Sequence, residues 1–575
     1  MGNPPHMKTV TLPLSVIESL EARLAPAGLV ALNLSAAGAL SITGDNLDND
    51  FTITETGDLW TISSLPGGTT QFSLNGGAQQ SAITFDAPLS VKAVLGGGND
   101  EMVLDGVLIP KTLNVNTGDG NDILDLTSTS IGSTVSVTMG NGNDLFTAGG
   151  DLYFARGMSV NLGKGANSFD INADTLLSDG NISATAAGTA FEGQAFLVKT
   201  GVGEVNGSLT LRTTTASFTD FEIGEFGDDS LVVTKGMTLQ SAAGEDIVTL
   251  RGDLFVGGLF AMRMGNGDNT VFTTDLDELA TGGLTYVGGT GVDDFLLEAR
   301  DVVIDGNFAF TGGSGTNSLD LFNSEYLGIT KSLTYKGGTG QDSFVVDGPE
   351  VIVLGSVSMA GSSGFNFMGI DATLADFGSL RYTGGAGDDL VDIGQPDGDS
   401  ALVTIYGAAT LSLGSGGADV QIIDTDIRGN FSISTSAAFG FADSIRLTDS
   451  DFRGNVSLRM TGQADSYVEI RDGIFYRNVT VSTGAGFDEV RFDTAAEGSQ
   501  IYSEFDGYVT VNLGSGDDVF FAGSNPAVET VGNDFNWYVD VYGGTGYDTA
   551  YFINPVYNNG FNGPVPWISS IEDYA

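Results

Sequence analysis

The sequence predicts an all-β protein: a right-handed parallel β-helix (solenoid) of about 23 residues per coil, with a short N-terminal capping helix. Three observations predict it: a glycine turn that recurs along most of the chain, alternating apolar and polar residues on both sides of that turn, and a low proline content. A chain of 575 residues exceeds the size of one ordinary core. A repeat array escapes that limit because it grows by stacking units on their neighbours.

The glycine turn is clearest at Gly288 to Gly291 and at Gly312 to Gly315, where Gly-Gly-x-Gly is followed by Asp293 or Asn317. Most successive turns lie 22 to 25 residues apart, and longer steps indicate insertions or a degenerate unit. Glycine supplies the positive φ angles of a tight turn and leaves backbone carbonyls accessible. The acidic residues that follow these turns are the candidate metal ligands: Asp100, Asp122, Asp144, Asp229, Asp246, Asp293, Asp342, Asp389, Asp488, Asp518 and Asp548.

The residues that flank each turn have the two-residue period of half-buried strands. Examples before the turn are LNVNTG, LTYVGG and VTVNLG, and a second alternation follows each turn. A third short strand, such as DVVIDG, completes the unit. Strands this short bury their apolar faces only when successive units stack in parallel, which predicts a continuous core.

The chain divides into four segments on this pattern. Residues 1–28 contain an apparent tag or targeting segment and a capping helix, with a capping-box match from Ser15 to Glu18. This helix is short and not basic, so it suits a lid over the open end better than a membrane-binding role. Residues 29–94 are predicted as divergent β-helix coils, residues 95–550 as the main array, and residues 551–575 as a C-terminal cap.

The charge balance is strongly acidic, with 73 Asp plus Glu against 22 Lys plus Arg and a net charge of −51. Nucleic acid is an improbable partner because it requires a basic surface. The acidity is consistent with solubility, halophily or cation binding. There is no cysteine, which excludes disulfides and thiolate metal sites, and no apolar run is long enough for a transmembrane helix.

Stacked turns bring the acidic residues of adjacent coils close together. Two unit charges at the spacing of adjacent strands, about 4.8 Å, repel by roughly 1 kcal/mol in water and by several at an effective dielectric constant of 20. Calcium reverses the sign of this interaction because it binds six to eight oxygen atoms, and carboxylates and glycine carbonyls provide them. The alternative is that Asp and Asn serve only to stabilise tight turns.

The turn sequence resembles the nonapeptide G-G-x-G-x-D-x-U-x of RTX (repeat-in-toxin) calcium-binding proteins. GGTGVDDFL at residues 288–296, GGTGQDSFV, GGAGDDLVD and GGTGYDTAY match it. The resemblance implies calcium held between turns by the matching Asp side chains and by backbone carbonyls. This chain departs from the family by using one such turn per coil rather than two. A second resemblance, SLEARLAPAG at residues 19–28, is to a segment near the start of planctomycete and verrucomicrobial surface proteins, and implies an extracellular or cell-surface location.

Together these features predict a secreted or cell-surface structural or adhesive protein, such as an adhesin or S-layer component, stabilised by calcium. Its expected partners are calcium, cell-surface polysaccharide or other copies of itself. The alternative is a β-helix protein that binds or degrades polysaccharide. Paired acids at Asp228, Asp293, Asp388 and Asp517 fit a glycosidase in type, but they recur with the repeat, whereas a catalytic pair is expected once. We therefore expect no enzymatic activity.

Overall fold

The computed structural model describes residues 28–188, 193–215, 218–225, 229–394, 402–492, 503–523, 534–552, 556–557, 567–571 and 573–574. Within these residues the chain forms a parallel β-solenoid of about 18 turns with ~24 residues per turn. The predicted repeat fold is thereby confirmed. The predicted N-terminal helix lies outside the described residues.

The described residues form 52 strands. The strands at the N-terminal end are β1 (Leu29–Leu34), β2 (Ala39–Thr43), β3 (Asp50–Thr56), β4 (Leu59–Ser64), β5 (Gln71–Leu74), β6 (Ala82–Asp86), β7 (Ser90–Gly97), β8 (Glu101–Asp105) and β9 (Leu108–Ile109). The next strands are β10 (Leu113–Asp119), β11 (Ile123–Thr127), β12 (Ser130–Ile131), β13 (Val135–Asn141), β14 (Leu145–Phe154), β15 (Gly157–Lys164), β16 (Asn167–Ser178), β17 (Asn181–Ala187), β18 (Gly193–Val205), β19 (Leu209–Thr213), β20 (Phe218–Ile223), β21 (Ser230–Val233) and β22 (Met237–Gln240).

The central strands are β23 (Glu245–Arg263), β24 (Asn269–Val287), β25 (Asp293–Ile304), β26 (Phe308–Thr311), β27 (Asn317–Ile329), β28 (Leu333–Lys336), β29 (Asp342–Ala360), β30 (Asn366–Thr383), β31 (Asp389–Ile393), β32 (Leu402–Ile405), β33 (Ala409–Ser412), β34 (Ala418–Ile423), β35 (Thr425–Ile427) and β36 (Phe431–Thr435). The last strands are β37 (Ala442–Thr448), β38 (Asp451–Phe452), β39 (Val456–Met460), β40 (Asp465–Arg471), β41 (Ile474–Phe475), β42 (Val479–Ser482), β43 (Glu489–Phe492), β44 (Glu504–Phe505), β45 (Val509–Asn512), β46 (Val519–Ala522), β47 (Asp534–Phe535), β48 (Val539–Tyr542), β49 (Thr549–Phe552), β50 (Val556–Tyr557), β51 (Trp567–Ser569) and β52 (Asp573–Tyr574).

Each coil contributes one segment to each of three parallel sheets, which we call the first, second and third faces. The coil of β10, β11 and β12 shows the order: β10 pairs with β7 and β13 on the first face, β11 with β8 and β14 on the second, and β12 with β9 and β14 on the third. Some long strands, such as β14 and β23, continue around a corner and serve two or three faces. The glycine turns join the first face to the second, so they all lie along one edge.

The core is a set of columns in which equivalent residues of successive coils contact one another. The alternation after each turn predicts ten residues that point inward, and all of them are buried: Met102, Leu124, Phe146, Phe169, Leu231, Val248, Val271, Phe295, Leu319 and Phe344. Leu231 lies on the third face, and the position expected for it on the second face belongs to Phe221. Aromatic columns run through several coils, as in Phe452, Phe475 and Phe505, whose neighbouring ring centroids are 4.9 Å apart in both steps. Burial of each such side chain contributes roughly 1.5 to 3 kcal/mol.

The N-terminal end is closed by antiparallel strands. Strands β2 and β3 pair in parallel with β7 and β8, but β1 then pairs antiparallel with β2, and β4 pairs antiparallel with both β3 and β6. The tight turn between β3 and β4 contains Gly57 at φ +64°. Residues 29–94 were predicted as divergent coils, so their outer part differs from that prediction. A hairpin that folds back covers the apolar end, where Trp60 and Phe72 are fully buried, without a further coil.

At the C-terminal end, β50, β51 and β52 pair in parallel with β47, β48 and β49. The described part of the segment predicted as a cap, residues 551–575, therefore continues the three faces. The part of the chain that the structure describes has no helix of the length and apolarity needed to cross a membrane.

Candidate cation site at the glycine corner

The corner between the first and second faces requires glycine because successive turns lie in close backbone contact. A Cβ atom on Gly313 would lie 1.2 Å from the carbonyl oxygen of Gly289. Gly315 has φ +140°, and a Cβ atom there would lie 1.8 Å from the carbonyl oxygen of Gly291. The first glycine of the turn faces the acid: a Cβ atom on Gly288 would lie 2.1 Å from Oδ2 of Asp293. Any side chain at these positions would force the coils apart or displace the carboxylate.

The residue two places after the last glycine of each turn begins the second face, with its side chain inside the solenoid. We call these residues the inner column. Strand register places the following residues in it: Asn49, Asp100, Asp122, Asp144, Asn167, Gln194, Thr219, Asp246, Asn269, Asp293, Asn317, Asp342, Asn366, Asp389, Ala418, Asp443, Ser466, Asp488, Asp518 and Asp548. Every one of them is at most 4% exposed.

Ten of the eleven predicted metal ligands belong to this column, and Asp229 does not. Asp229 directly precedes β21 on the third face, and the column position of its region is Thr219. The coils near Gln194 and Thr219 lack glycine turns, so the glycine spacing selected a residue at another corner. The alternation of β18 and β20 was the available signal for these two positions.

Two runs of the column contain consecutive aspartates joined by hydrogen bonds to the backbone of the preceding coil. In the N-terminal run, the N–H groups of Asn49, Asp100 and Asp122 donate to Oδ1 of Asp100, Asp122 and Asp144 at 2.8, 2.9 and 3.0 Å. In the C-terminal run, the N–H groups of Ser466, Asp488 and Asp518 donate to Oδ1 of the next aspartate at 2.8, 2.9 and 3.1 Å.

The second carboxylate oxygen in these runs is buried without a hydrogen-bond donor. This holds for Oδ2 of the following residues: Asp100, Asp122, Asp144, Asp488 and Asp518. Burial, with a smaller contribution from neighbouring aspartates of the column, raises the pKa of Asp100, Asp144 and Asp518 to about 7. A buried carboxylate oxygen that accepts no hydrogen bond destabilises the folded protein, and a bound proton or cation would reduce that cost.

The middle run alternates Asp with Asn, and the protein itself supplies donors to both carboxylate oxygens of Asp293 and Asp389, with the N–H groups of Gly313 and Gly414 on Oδ2 at 3.3 and 3.2 Å. Oδ2 of Asp342 has no such donor. Nδ2 of Asn269 donates to the carbonyl oxygens of Gly265 and Gly267, both at 3.2 Å, and to Oδ1 of Asp293 at 2.7 Å. The Tyr286 hydroxyl also donates to Oδ1 of Asp293, at 2.8 Å. The same hydrogen bonds, from an Asn of the preceding coil and from a Tyr hydroxyl, are made to Oδ1 of Asp342 and of Asp389.

An outer column of Asp and Asn lies one residue before the inner column. Oδ1 of Asp388 accepts the N–H of Gly417 at 2.9 Å, and Oδ1 of Asp517 accepts the N–H of Tyr547 at 2.8 Å. In each of the pairs Asp388–Asp389 and Asp517–Asp518, the first residue therefore belongs to the outer column and the second to the inner column, and both form hydrogen bonds. Asp228, another of the paired acids, lies outside the described residues.

In the two aspartate runs, the oxygen atoms available to a cation include those of the carboxylates and of the backbone carbonyls of the glycine turns. Across the described ranges, no three His, Cys, Asp or Glu side chains gather into a metal-binding group. A cation at this corner would therefore depend on two stacked carboxylates and on the backbone carbonyls of the glycine turns. These are hard oxygen donors, and they fit calcium in type.

No family model, curated protein or solved structure matches this chain.

Proposed function

We propose that the protein is a secreted or cell-surface structural or adhesive repeat protein, a stiff solenoid whose two aspartate runs bind calcium. The coils are proposed to be right-handed, as parallel crossovers almost always are, with the N-terminal segment forming a capping helix. One observation carries the calcium proposal: Oδ2 of successive aspartates in the two runs is buried and has no hydrogen-bond donor.

The middle run supports the proposal by comparison. There, the side-chain amide of Asn269, Asn317 or Asn366 donates to backbone carbonyls of its own turn and to the carboxylate of the next coil. In the N-terminal run, Asp122 has glycines at the same spacing, Gly118 and Gly120, but has no amide nitrogen. Calcium bound there would offset the repulsion between stacked carboxylates that Asn avoids in the middle run.

Calcium is preferred over magnesium by the geometry of the donors. Magnesium requires near-ideal octahedral coordination and usually retains several waters, whereas calcium accepts irregular sets of six to eight oxygens. Sites of this kind with few carboxylates bind weakly, with Kd on the order of 10⁻⁴ to 10⁻³ M in extracellular modules. An extracellular or cell-surface location is therefore part of the proposal.

The structural role is favoured over polysaccharide degradation. The paired acids that suggested a glycosidase take part in the column hydrogen bonds at Asp388–Asp389 and Asp517–Asp518, which gives those pairs a structural explanation. A catalytic site requires instead an acid and a base with different environments around one substrate position.

The test is thermal unfolding followed by circular dichroism in chelator, in calcium and in magnesium. We expect calcium to raise the melting temperature and magnesium to raise it less. Asp122→Asn, in the N-terminal run, should reduce the calcium-dependent increase, because Asn keeps the Oδ1 acceptor but removes the charge. Asp389→Asn, in the middle run, is the matched control and should leave most of the increase intact, because both carboxylate oxygens of Asp389 already accept hydrogen bonds. A melting temperature that is the same in chelator and in calcium would overturn the calcium proposal and leave the fold unaffected.

A further inference from the structure

The corner between the third and first faces carries an exposed column of aromatic and arginine side chains in the C-terminal coils. Tyr406, Arg428, Arg453 and Tyr476 occupy the same position in successive coils, since the backbone N–H of each donates to the strand end of the preceding coil. Their side chains stack: the Arg428 guanidinium lies 4.4 Å from the Tyr406 ring centroid, and the Arg453 guanidinium lies 5.7 Å from that of Tyr476. Stacking of this kind holds the guanidinium groups in place at the surface.

The two arginines are also fixed by one shared carboxylate. Nε of Arg428 donates to Oδ2 of Asp426 at 3.0 Å, and Arg453 donates to Oδ1 and Oδ2 of Asp426 at 2.7 and 3.0 Å. The Asp426 side chain is 10% exposed, whereas those of Arg428 and Arg453 are 42% and 48% exposed. The arginines are therefore ordered before any partner arrives, which reduces the entropy lost on binding.

The aromatic surface continues at the same corner over the next two coils. Tyr508 stacks on Tyr538 with ring centroids 5.9 Å apart and an interplanar angle of 7°, and Trp537 contacts Tyr508 at 5.6 Å. These three residues are 46% to 51% exposed. We call Tyr406, Arg428, Arg453, Tyr476, Tyr508, Trp537 and Tyr538 the aromatic strip. Exposed Tyr, Trp and Arg are the residues that dominate the energetics of protein–protein interfaces.

The charge of the chain identifies a complementary surface on the protein itself. The corner that holds the strip contains three arginines and one acidic residue, counted over residues 406–408, 428–430, 453–455, 476–478, 506–508 and 536–538. In contrast, the corners between the second and third faces in the central coils contain nine acidic residues and one arginine. These corners are residues 273–278, 298–301, 322–326, 347–350 and 371–374, and we call them the acidic corner.

We infer that the aromatic strip of one molecule binds the acidic corner of a second copy, so that solenoids associate side by side with a stagger. The two surfaces differ, so each molecule offers one of each, and such a contact propagates into fibres or sheets unless a rotation closes it. Parallel stacking of the Tyr508 and Tyr538 rings turns their faces toward each other, which favours contact through ring edges and hydroxyl groups over stacking on sugar rings. The inference uses the fold and surface alone and does not depend on calcium binding.

The test is sedimentation velocity and electron microscopy of the full chain at fixed calcium concentration. We expect concentration-dependent assemblies at low salt that dissociate at high salt, because the contact is partly ionic. Tyr508→Ser with Trp537→Ser removes two exposed rings of the aromatic strip, and Glu298→Gln with Glu325→Gln removes two charges of the acidic corner. Each double variant should associate at least about tenfold more weakly than the unchanged protein, the loss expected of interface hot spots.

Mixing the two double variants gives the sharpest outcome. Each retains one intact surface, so the mixture should form a 1:1 dimer that does not grow. Tyr547→Ser is the control, since Tyr547 is 57% exposed but lies at the glycine corner, and it should assemble normally. Unchanged melting curves establish that the variants are folded. The inference would be overturned if the parent protein were monomeric or if the variants assembled normally. It would also be overturned if the strip variant assembled normally but lost binding to an acidic polysaccharide, for which polygalacturonate is the probe.

Discussion

Nδ2 of Asn317 lies 2.8 Å from Oδ1 of Asp342 in the next coil, and 3.2 and 3.4 Å from the carbonyl oxygens of Gly315 and Gly313. One amide group therefore supplies hydrogen atoms to a carboxylate and to two turn carbonyls. In the aspartate runs no side-chain amide is available between consecutive acids. An Asn at this column position thus gives the carboxylate of the next coil a side-chain donor that consecutive aspartates lack, although Oδ2 of Asp342 is still buried without a donor.

Asn317→Asp should convert part of the middle run into an aspartate run. The variant loses the amide donors to Asp342, Gly313 and Gly315 and adds a buried carboxylate beside an existing one. We expect a loss of about 3 kcal/mol in the free energy of unfolding in chelator at pH 8, measured by denaturant titration. Added calcium should restore more stability to the variant than to the parent protein.

Asn307→Asp is the matched control for this change. Asn307 is exposed, and its Oδ1 accepts the N–H of Ser332 at 3.2 Å, a bond that an aspartate preserves. Its stability should change by less than about 0.5 kcal/mol. Equal effects of the two substitutions would show that the column position has no special role.

The raised pKa values in the aspartate runs predict a dependence of stability on pH in metal-free buffer. The folded-state pKa of Asp100, Asp144 and Asp518 is about 7, above the ordinary value of 3.8. The folded protein therefore binds protons more readily than the unfolded chain between these values, so the free energy of unfolding must fall as pH rises from about 4 to about 7. Denaturant unfolding in chelator at pH 5 and pH 8 should show the greater stability at pH 5.

Asp144→Asn provides the control for the pH experiment. Asn retains an Oδ1 acceptor for the N–H of Asp122 but does not titrate, as Asn167 already illustrates in the next coil. The variant should lose stability less steeply between pH 5 and pH 8 than the parent protein. If the parent protein were equally or more stable at pH 8, the pKa values of these aspartates would not be raised in the folded protein.

Much of the architecture could be predicted from the sequence because its cause is local and repeated. The two-residue alternation around each turn identifies buried residues such as Phe146 and Phe344, since the strand period alone decides which side faces the core. Of the eleven metal ligands that the glycine spacing predicted, ten lie in the inner column.

Other features depended on contacts between distant residues and left no local signal. The antiparallel pairing of β1 with β2 and of β4 with β6 reflects the need to cover an open end, which no strand pattern specifies. Gln194 and Thr219 entered the column through pairing with their neighbours, despite lacking a glycine turn. The Tyr286–Asp293 hydrogen bond had a signal that was missed: a tyrosine precedes the aspartate by seven residues at Asp293, Asp342 and Asp389.

Gly313→Ala tests whether the glycine corner is required for close stacking of the coils. The added methyl group would lie 1.2 Å from the carbonyl oxygen of Gly289, and backbone on both sides restricts relaxation. We expect the free energy of unfolding to fall by more than about 2 kcal/mol, as in overpacked interiors, with calcium or without it. The matched control is Gly283→Ala, where the nearest atom, the Asn307 carbonyl oxygen, would lie 3.5 Å away. That variant should change stability by less than about 1 kcal/mol, so a similar loss in both variants would mean that glycine acts through chain flexibility and not through the packing of adjacent turns.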